Sequence, residues 1–175
     1  RLFKMLDISD DMEYGLLEMD RNDIPNELKV LANEYTGMNV TIPYKLDVMP
    51  HLTEISEEAR RIGAVNTIHI REDGCFGYNT DYIGFGRSLE HAGIAVKGRT
   101  CTVLGSGGAA RAITQYLTDN GAAAITVVSR RPHSKPDFDN FMHHTIADII
   151  DYNELNRHPG GDVIVNCTPV GMYPD

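Results

Sequence analysis

The chain has 175 residues, enough for one domain or two small ones, and its 42% hydrophobic content is that of a globular protein with a packed core. A formal net charge of −9 argues against a nucleic-acid partner, because phosphate binding needs clustered Lys and Arg, and no apolar run reaches the length of a membrane span. Cys75, Cys101 and Cys167 are far apart with no CxxC pair, and the seven His residues are scattered, so neither a disulfide framework nor a metal site is expected and a reducing cytosol is the natural setting. The adjacent His143 and His144 read as solvated loop residues. The first residues lack the apolar block of a signal peptide. The chain starts at Arg1 and stops just after an expected strand, which reads as a fragment.

In chain order, Leu2, Phe3 and Leu6 fit the end of a helix. Residues 13–19 read as a strand and 20–23 as a polar turn. Asp23 and Pro25 are start signals for a helix to about Tyr35, with Leu28, Leu31 and Ala32 on one face. Gly37 ends it, and 38–42 form a short β-rich segment that Pro43 breaks. Helical stretches follow over 45–52 and 56–62, the second with Glu57 and Glu58 in its first turn, where carboxylates suit the helix dipole. Residues 64–70 and 75–78 read as strands around Glu72-Asp73-Gly74, because Asp-Gly between apolar runs signals a hairpin. A helix over 80–92 ends at Gly93, placed for a left-handed cap.

Residues 94–99 join halves of different character, so a boundary near Val96 divides the chain into 1–96 and 97–175. The second half alternates. A strand over 100–104 leads to a helix over 108–120 and a strand over 124–129. A polar stretch with Pro132 and Pro136 follows, then a helical segment over 148–156 and an apolar, β-branched strand over 162–167. This alternation implies α/β architecture with a doubly wound parallel sheet.

Gly105-Ser106-Gly107-Gly108-Ala109-Ala110 fits G-x-G-x-x-A. The pattern gains meaning from its context, because it follows a strand and opens a helix. Gly105 permits the tight turn, Gly107 removes a Cβ from the path of a pyrophosphate, and Ala110 lets the helix pack close to the sheet. Backbone N–H groups at the helix start would then meet phosphate charge. The next strand ends in Ser129-Arg130-Arg131, with Lys135 nearby and no acid until Asp137. A carboxylate there would bind a ribose 2′-hydroxyl, whereas a guanidinium grips a 2′-phosphate, so NADP is expected over NAD.

Three polar clusters lie at strand ends or helix starts of the first half. They hold Asn39, Thr41 and Lys45, then Asn66 and Thr67, then Asn79, Thr80 and Asp81. Together they would offer hydrogen bonds to a polyhydroxylated ligand. Taken singly, 79–81 could cap a helix and Lys45 could be solvated.

Asn-Val-Thr-Ile-Pro-Tyr-Lys at 39–45, Gly-Ala-Val-Asn-Thr at 63–67, Asn-Thr-Asp at 79–81, the 105–110 loop and Asn-Cys-Thr-Pro-Val-Gly-Met at 166–172 resemble the shikimate dehydrogenase family in order and spacing. The resemblance runs over nearly the whole chain. It implies an N-terminal α/β substrate domain and a C-terminal Rossmann-like NADP-binding domain, both incomplete here. It implies that Lys45 is the catalytic lysine and Asp81 its partner, and that Thr41, Asn66 and Asp81 bind shikimate. It assigns Glu57, Gly105, Ser106, Gly107, Gly108, Ala109, Ser129, Arg130, Arg131 and Thr168 to the NADP site. The implied reaction is reversible NADPH-dependent reduction of 3-dehydroshikimate, by a cytoplasmic monomer or homodimer.

The sequence departs from the family pattern. Ser-Arg-Arg stands where Asn-Arg-Thr is usual, and Ser134 stands where a second basic residue is common. Family members also begin earlier, with a serine-rich loop for the substrate carboxylate, and continue further. A quinate/shikimate dehydrogenase using NAD or NADP is the alternative enzyme, and an inactive NADP-binding fragment the alternative from another class. Lys45 could act as a proton shuttle or as an electrostatic clamp.

Overall fold

The computed structural model describes residues 12–134, 136–158 and 160–171. Its apolar residues gather into one main core under each of two four-stranded sheets. In the first half, a 3-10 turn over Arg21–Asp23 leads into helix α1 (Ile24–Leu31). Pro25 stands at its start, where a backbone N–H would have no intrahelical partner. Ile24 and Leu28, four apart and so on one face, pack against Val48, Ala59, Val65 and Ile68. Strands β1 (Gly37–Asn39), β2 (Glu54–Ile55), β3 (Thr67–Arg71) and β4 (Gly74–Tyr78) form a mixed sheet in the order β1-β3-β4-β2. β3 is antiparallel to β1 and β4, while β2 runs parallel to β4.

Helix α2 (Glu57–Ile62) shows both end signals. Ser56 Oγ accepts from Ala59 N at 3.3 Å, and Gly63 takes the left-handed conformation at φ 66° that closes the last turn. Helix α3 (Thr80–His91) is capped by Asn79, whose Oδ1 accepts from the N–H groups of Asp81 and Tyr82.

The second half supplies β5 (Thr100–Leu104), α4 (Gly108–Asp119), β6 (Ala124–Val128), α5 (Pro136–Met142), β7 (Ala147–Ile150) and β8 (Val163–Asn166). All strand pairs are parallel, in the order β7-β6-β5-β8. The chain builds outward from β5 to β7 and then returns to the other side of β5. The crevice between the carboxyl ends of β5 and β8 is therefore the topological switch point, where open α/β sheets bind ligands. Ala110, Ile113 and Leu117 of α4 and Phe138, Phe141 and Met142 of α5 pack on Cys101, Val103, Ile125 and Val127. Leu89 of α3 and Val96 join this same core.

Several expectations change. Residues 13–19 form no strand: Tyr14, Leu16 and Leu17 are exposed, and no ladder among the described residues takes up their backbone. The helix expected over 45–52 is a run of turns closed by a 3-10 turn over Met49–His51; Pro50 lacks the N–H that the ladder of such a helix would need there. The segment 148–156 is not helical at its start. β6 provides a parallel edge that captures 147–150, and only Leu155–Arg157 curls into a 3-10 turn. The polar stretch after β6 contains α5, whose aromatic pair Phe138 and Phe141 is buried. β1 and β3 are shorter than expected and β2 is an addition. The expected helix end at Leu2, Phe3 and Leu6, and also Lys135 and Met172, lie outside the described residues.

Gly86 of α3 faces the Tyr116 ring of α4. A Cβ there would lie 2.9 Å from Tyr116 Cζ and closer still to Cε2. The Tyr116 ring is itself held edge-on between Tyr82 and Phe85, with centroids 5.2 and 5.4 Å away. Any retreat of the ring would disturb these two edge-on contacts. Gly86→Ala should therefore destabilise the fold by about 1–3 kcal/mol through overpacking, read as a lower midpoint in chemical denaturation.

Candidate active site

The three polar clusters of the first half converge on one carboxylate. Lys45 Nζ lies 2.6 Å from Asp81 Oδ2, and Asn66 Nδ2 donates to Asp81 Oδ1 at 2.8 Å. The Lys45 and Asp81 side chains are 15% and 32% exposed, so the pair is sheltered but open on one side. Backbone contacts fix each member. The Lys45 carbonyl accepts from Val65 N at 2.8 Å, and Asn66 N donates to Tyr78 O at 3.0 Å. Asp81 stands in the first turn of α3, where its charge suits the helix dipole.

Asn66 is 7% exposed and its Oδ1 is heavily used. It accepts from Thr80 N at 2.9 Å, Thr67 Oγ1 at 3.0 Å and Thr80 Oγ1 at 3.2 Å. That leaves Nδ2 facing Asp81 by necessity, since an acceptor there would meet another acceptor. Asn79, 3% exposed, ties the same region from behind by donating to Ala64 O at 2.9 Å. The bland reading of 79–81 as a helix cap thus holds for Asn79, while Asp81 turns to Lys45 and Asn66. Thr41 is exposed, its carbonyl accepting from Tyr44 N.

The second half presents a cradle at the switch point. Gly105 has φ 110°, and a Cβ there would stand 3.0 Å from the Cys167 carbonyl oxygen and 3.3 Å from Thr168 Cγ2. Only glycine suits this turn. A Cβ at Gly107 would meet nothing within 4 Å, so the space above it is open. The first N–H groups of α4 point into that space without intrahelical acceptors. Thr168 belongs to a loop folded on Asn166, whose Oδ1 accepts from Thr168 Oγ1 at 2.6 Å and Thr168 N at 3.0 Å. Ser129, 6% exposed, bonds Ser106 through their hydroxyls at 3.0 Å and accepts from Arg131 N at 3.3 Å. Arg130 and Arg131 are exposed and form no ion pair among the described residues. An open glycine cradle, a helix N-terminus and two exposed guanidinium groups with no acid at the end of β6 fit a dinucleotide that carries a 2′-phosphate.

The structure brings Lys45, Asn66 and Asp81 together, and separately Gly105, Ser106, Ser129 and Thr168. It joins the two groups through Lys45, whose side chain lies against Gly108. Glu57 stands exposed in the first turn of α2, with no hydrogen bond or ion pair among the described residues. Ala109 is the second residue of α4 and half-buried.

Residues that tie α4 to its neighbours also escaped the sequence reading. Asp119, at the end of α4, accepts from Tyr82 of α3 at 2.9 Å, Gln115 at 2.9 Å and Arg61 of α2 at 3.3 Å. Arg111 of α4 is 5% exposed, with its guanidinium 5.4 Å above the Phe138 ring and 5.3 Å above that of Phe141. A Cβ at Gly63 would lie 3.0 Å from its Nη1. Burial lowers the Arg111 pKa from its ordinary value, and Asp137 opposes that. The i,i+4 spacing of Gln115 and Asp119 is the one local sign of these ties. Burial, then the charge of Asp81, pushes the Cys167 thiol up to about 11, so it stays neutral at neutral pH and is no nucleophile.

Among the described residues no group of three or more His, Cys, Asp and Glu could hold a metal ion, and no helix is long and apolar enough to cross a membrane. The family model for the shikimate dehydrogenase substrate binding domain matches residues 1–68. The chain is 41% identical over 175 residues to the NADP(+) shikimate dehydrogenase of Clostridium beijerinckii, covering 99% of this chain and 62% of that protein. Among solved structures, shikimate dehydrogenase 1 of Peptoclostridium difficile superposes with a TM-score of 0.86 at 40% identity, covering 99% of this chain and 62% of its own. The Thermus thermophilus shikimate 5-dehydrogenase, in complex with NADP(H) and shikimate, superposes with a TM-score of 0.79 at 30% identity, covering 97% and 61%. The chain thus spans less than two thirds of these relatives.

Tyr82 offers a spectroscopic check on the geometry beside Asp81. Burial, the hydrogen bond to Asp119 and that carboxylate's charge push its hydroxyl from about 10 up to about 12. A folded pKa raised in this way contributes stability fully below pH 10, which is lost as pH rises towards 12. Titration of tyrosinate absorbance should therefore show one late step near pH 12 that Tyr82→Phe removes. Loss of a step near pH 10 instead would contradict the Tyr82–Asp119 bond.

Proposed function

The chain belongs to the shikimate dehydrogenase family, and from that premise we propose that it carries the proton-handling pair and the dinucleotide cradle of an NADP-dependent enzyme interconverting shikimate and 3-dehydroshikimate. Residues 1–96 would hold the substrate and 97–175 the cofactor. The observation that carries the reading is the 2.6 Å Lys45–Asp81 pair, with the lysine side chain lying against the cradle at Gly108. A proton donor and a dinucleotide site at one point are what alcohol–ketone interconversion requires.

NADP, when bound, supplies or accepts the hydride. The residues of this chain handle the oxygen. As the ketone is reduced, negative charge grows on its oxygen, and the Lys45 ammonium would stabilise that charge and donate a proton to it; in the reverse direction Lys45 Nζ would take the hydroxyl proton. Asp81 holds the ammonium through Oδ2 and retains lone pairs for a neighbouring ring hydroxyl. Asn66 Nδ2 spends one hydrogen on Asp81 Oδ1 and has a second for a substrate oxygen. Thr41, which is exposed, would add a further hydroxyl contact. A substrate lacking one of these hydroxyls would leave a sheltered polar group unpaired and should be rejected.

Gly107 and the start of α4 would receive the pyrophosphate, and Arg130 and Arg131 the 2′-phosphate, since charge-assisted guanidinium–phosphate bonds need no rearrangement of a neighbouring carboxylate.

In the full-length polypeptide carrying this sequence, shikimate should drive reduction of NADP. Lys45→Ala should lower kcat by about 10²–10⁴-fold while changing the KM for shikimate far less, as expected for a group that acts mainly on the transition state. Loss of binding with turnover intact would overturn that role. Arg130→Ala should raise the KM for NADP by about tenfold and leave that for NAD nearly unchanged, because the lost bond is to the 2′-phosphate. An equal effect on both cofactors would remove Arg130 from that contact.

A further inference from the structure

The glycines of the cradle do not all face the same neighbour. A Cβ at Gly105 would meet the Cys167 carbonyl and Thr168, and one at Gly107 would meet open space. A Cβ at Gly108 would meet Lys45: it would stand 2.9 Å from Cδ, 3.5 Å from Cβ and 3.7 Å from Cγ. The contact is with the aliphatic stem of the lysine over much of its length.

That stem is held at both ends. At the backbone, the Lys45 carbonyl accepts from Val65 N at 2.8 Å; at the tip, Nζ meets Asp81 Oδ2 at 2.6 Å. With both ends held, moving the stem aside means either turning several of its torsions away from their present rotamer or shifting the ammonium. Gly108 itself is not among the glycines with positive φ, and it opens a helix, where alanine is favoured over glycine. The backbone at 108 therefore gives no reason for glycine. The reason on view is Lys45.

We propose that Gly108 is a positioning residue for Lys45: its missing Cβ leaves the channel through which the lysine stem reaches Asp81, so the first turn of α4 sets the ammonium as well as framing the cradle. This rests on the reading of Lys45 as the proton-handling group. It couples the two halves at one van der Waals contact, with the backbone that receives phosphate on one side and the proton donor on the other. Gly108 then acts on the rate through Lys45, apart from any contribution to cofactor affinity.

The test is a double-mutant cycle in the full-length polypeptide with Gly108→Ala, Lys45→Ala and both together. Each protein is measured for kcat, its pH profile, NADP affinity by direct titration, and Tm. Gly108→Ala should lower kcat at saturating NADP by about 10–100-fold and shift the pH profile, with a smaller effect on NADP affinity than on kcat, as a displaced catalytic group does. In the Lys45→Ala background the same substitution should no longer lower Tm, and its effect on kcat should be much smaller than in the unsubstituted background, because the stem it displaces is gone. Weakened NADP binding with kcat unchanged at saturation, or equal effects in both backgrounds, would overturn the proposal. If Gly108→Ala alone fails to fold, rescue by Lys45→Ala supports the contact and absence of rescue overturns it. Absence of shikimate turnover in the unsubstituted protein would sink the proposed reaction instead, while the Tm cycle would still decide the contact between positions 45 and 108.

Discussion

A carboxylate has two oxygens, and at Asp81 they are claimed from two directions, by Lys45 on one and Asn66 on the other. The rest of the first half arranges itself around that demand. Asn66 can face Asp81 with its amide nitrogen only because its carbonyl oxygen is already taken by Thr67 and Thr80. Thr80 can reach it only because Asn79 caps α3 and anchors to Ala64. Lys45 arrives on a turn pinned by Val65. Removing the Lys45 ammonium or the Asn66 amide would leave a sheltered oxygen of Asp81 without that partner, which costs more than the bond itself contributes. The short β1, β3 and β4 strands serve as the frame that holds these loops at one end of the sheet.

The parallel sheet solves a different problem. It must bring several backbone N–H groups and a close helix to the same place, and strand order does this. Because β8 returns beside β5, the loop after β8 closes on Gly105, while α4 starts directly above. Thr168 and Gly105 become neighbours for topological reasons, although they are far apart in the chain. The basic pair after β6 lies on the outer side of the same edge.

Between the halves, the contacts differ in kind. Asp119 gathers Arg61, Tyr82 and Gln115 through charge and hydrogen bonds, whereas Arg111 lies between aromatic rings and the end of α2. Gly86 and Tyr116 set how closely α3 can approach α4. All three ties involve α4, the helix whose first turn frames the cradle. A shift of α4 would move the cradle and the lysine stem together, which links packing far from the site to the proposed chemistry.

Local signals in the sequence were sufficient at most element ends, where the responsible atoms lie within a few residues. Ser56 and Gly63 bound α2, Asn79 and Gly93 bound α3, and the glycine run after an apolar strand announces the turn into α4, because caps and left-handed turns are decided by neighbouring backbone. The same reading failed where a distant partner decides. Residues 148–156 carry apolar side chains at spacings a helix could use, yet the free edge of β6 offers a ladder and 147–150 takes it. Residues 13–19 have strand composition, yet no ladder among the described residues takes them up. Lys45, Asn66 and Asp81 were each legible as polar residues at element ends, with solvation a sufficient reading for Lys45 and helix capping for 79–81. Only the tertiary structure joins them, since hydrogen bonds between loops depend on how sheets and helices pack. The contact of Lys45 with Gly108 was invisible for the same reason: a glycine's motif explains its backbone, and only packing reveals which side chain occupies the space its absent Cβ leaves.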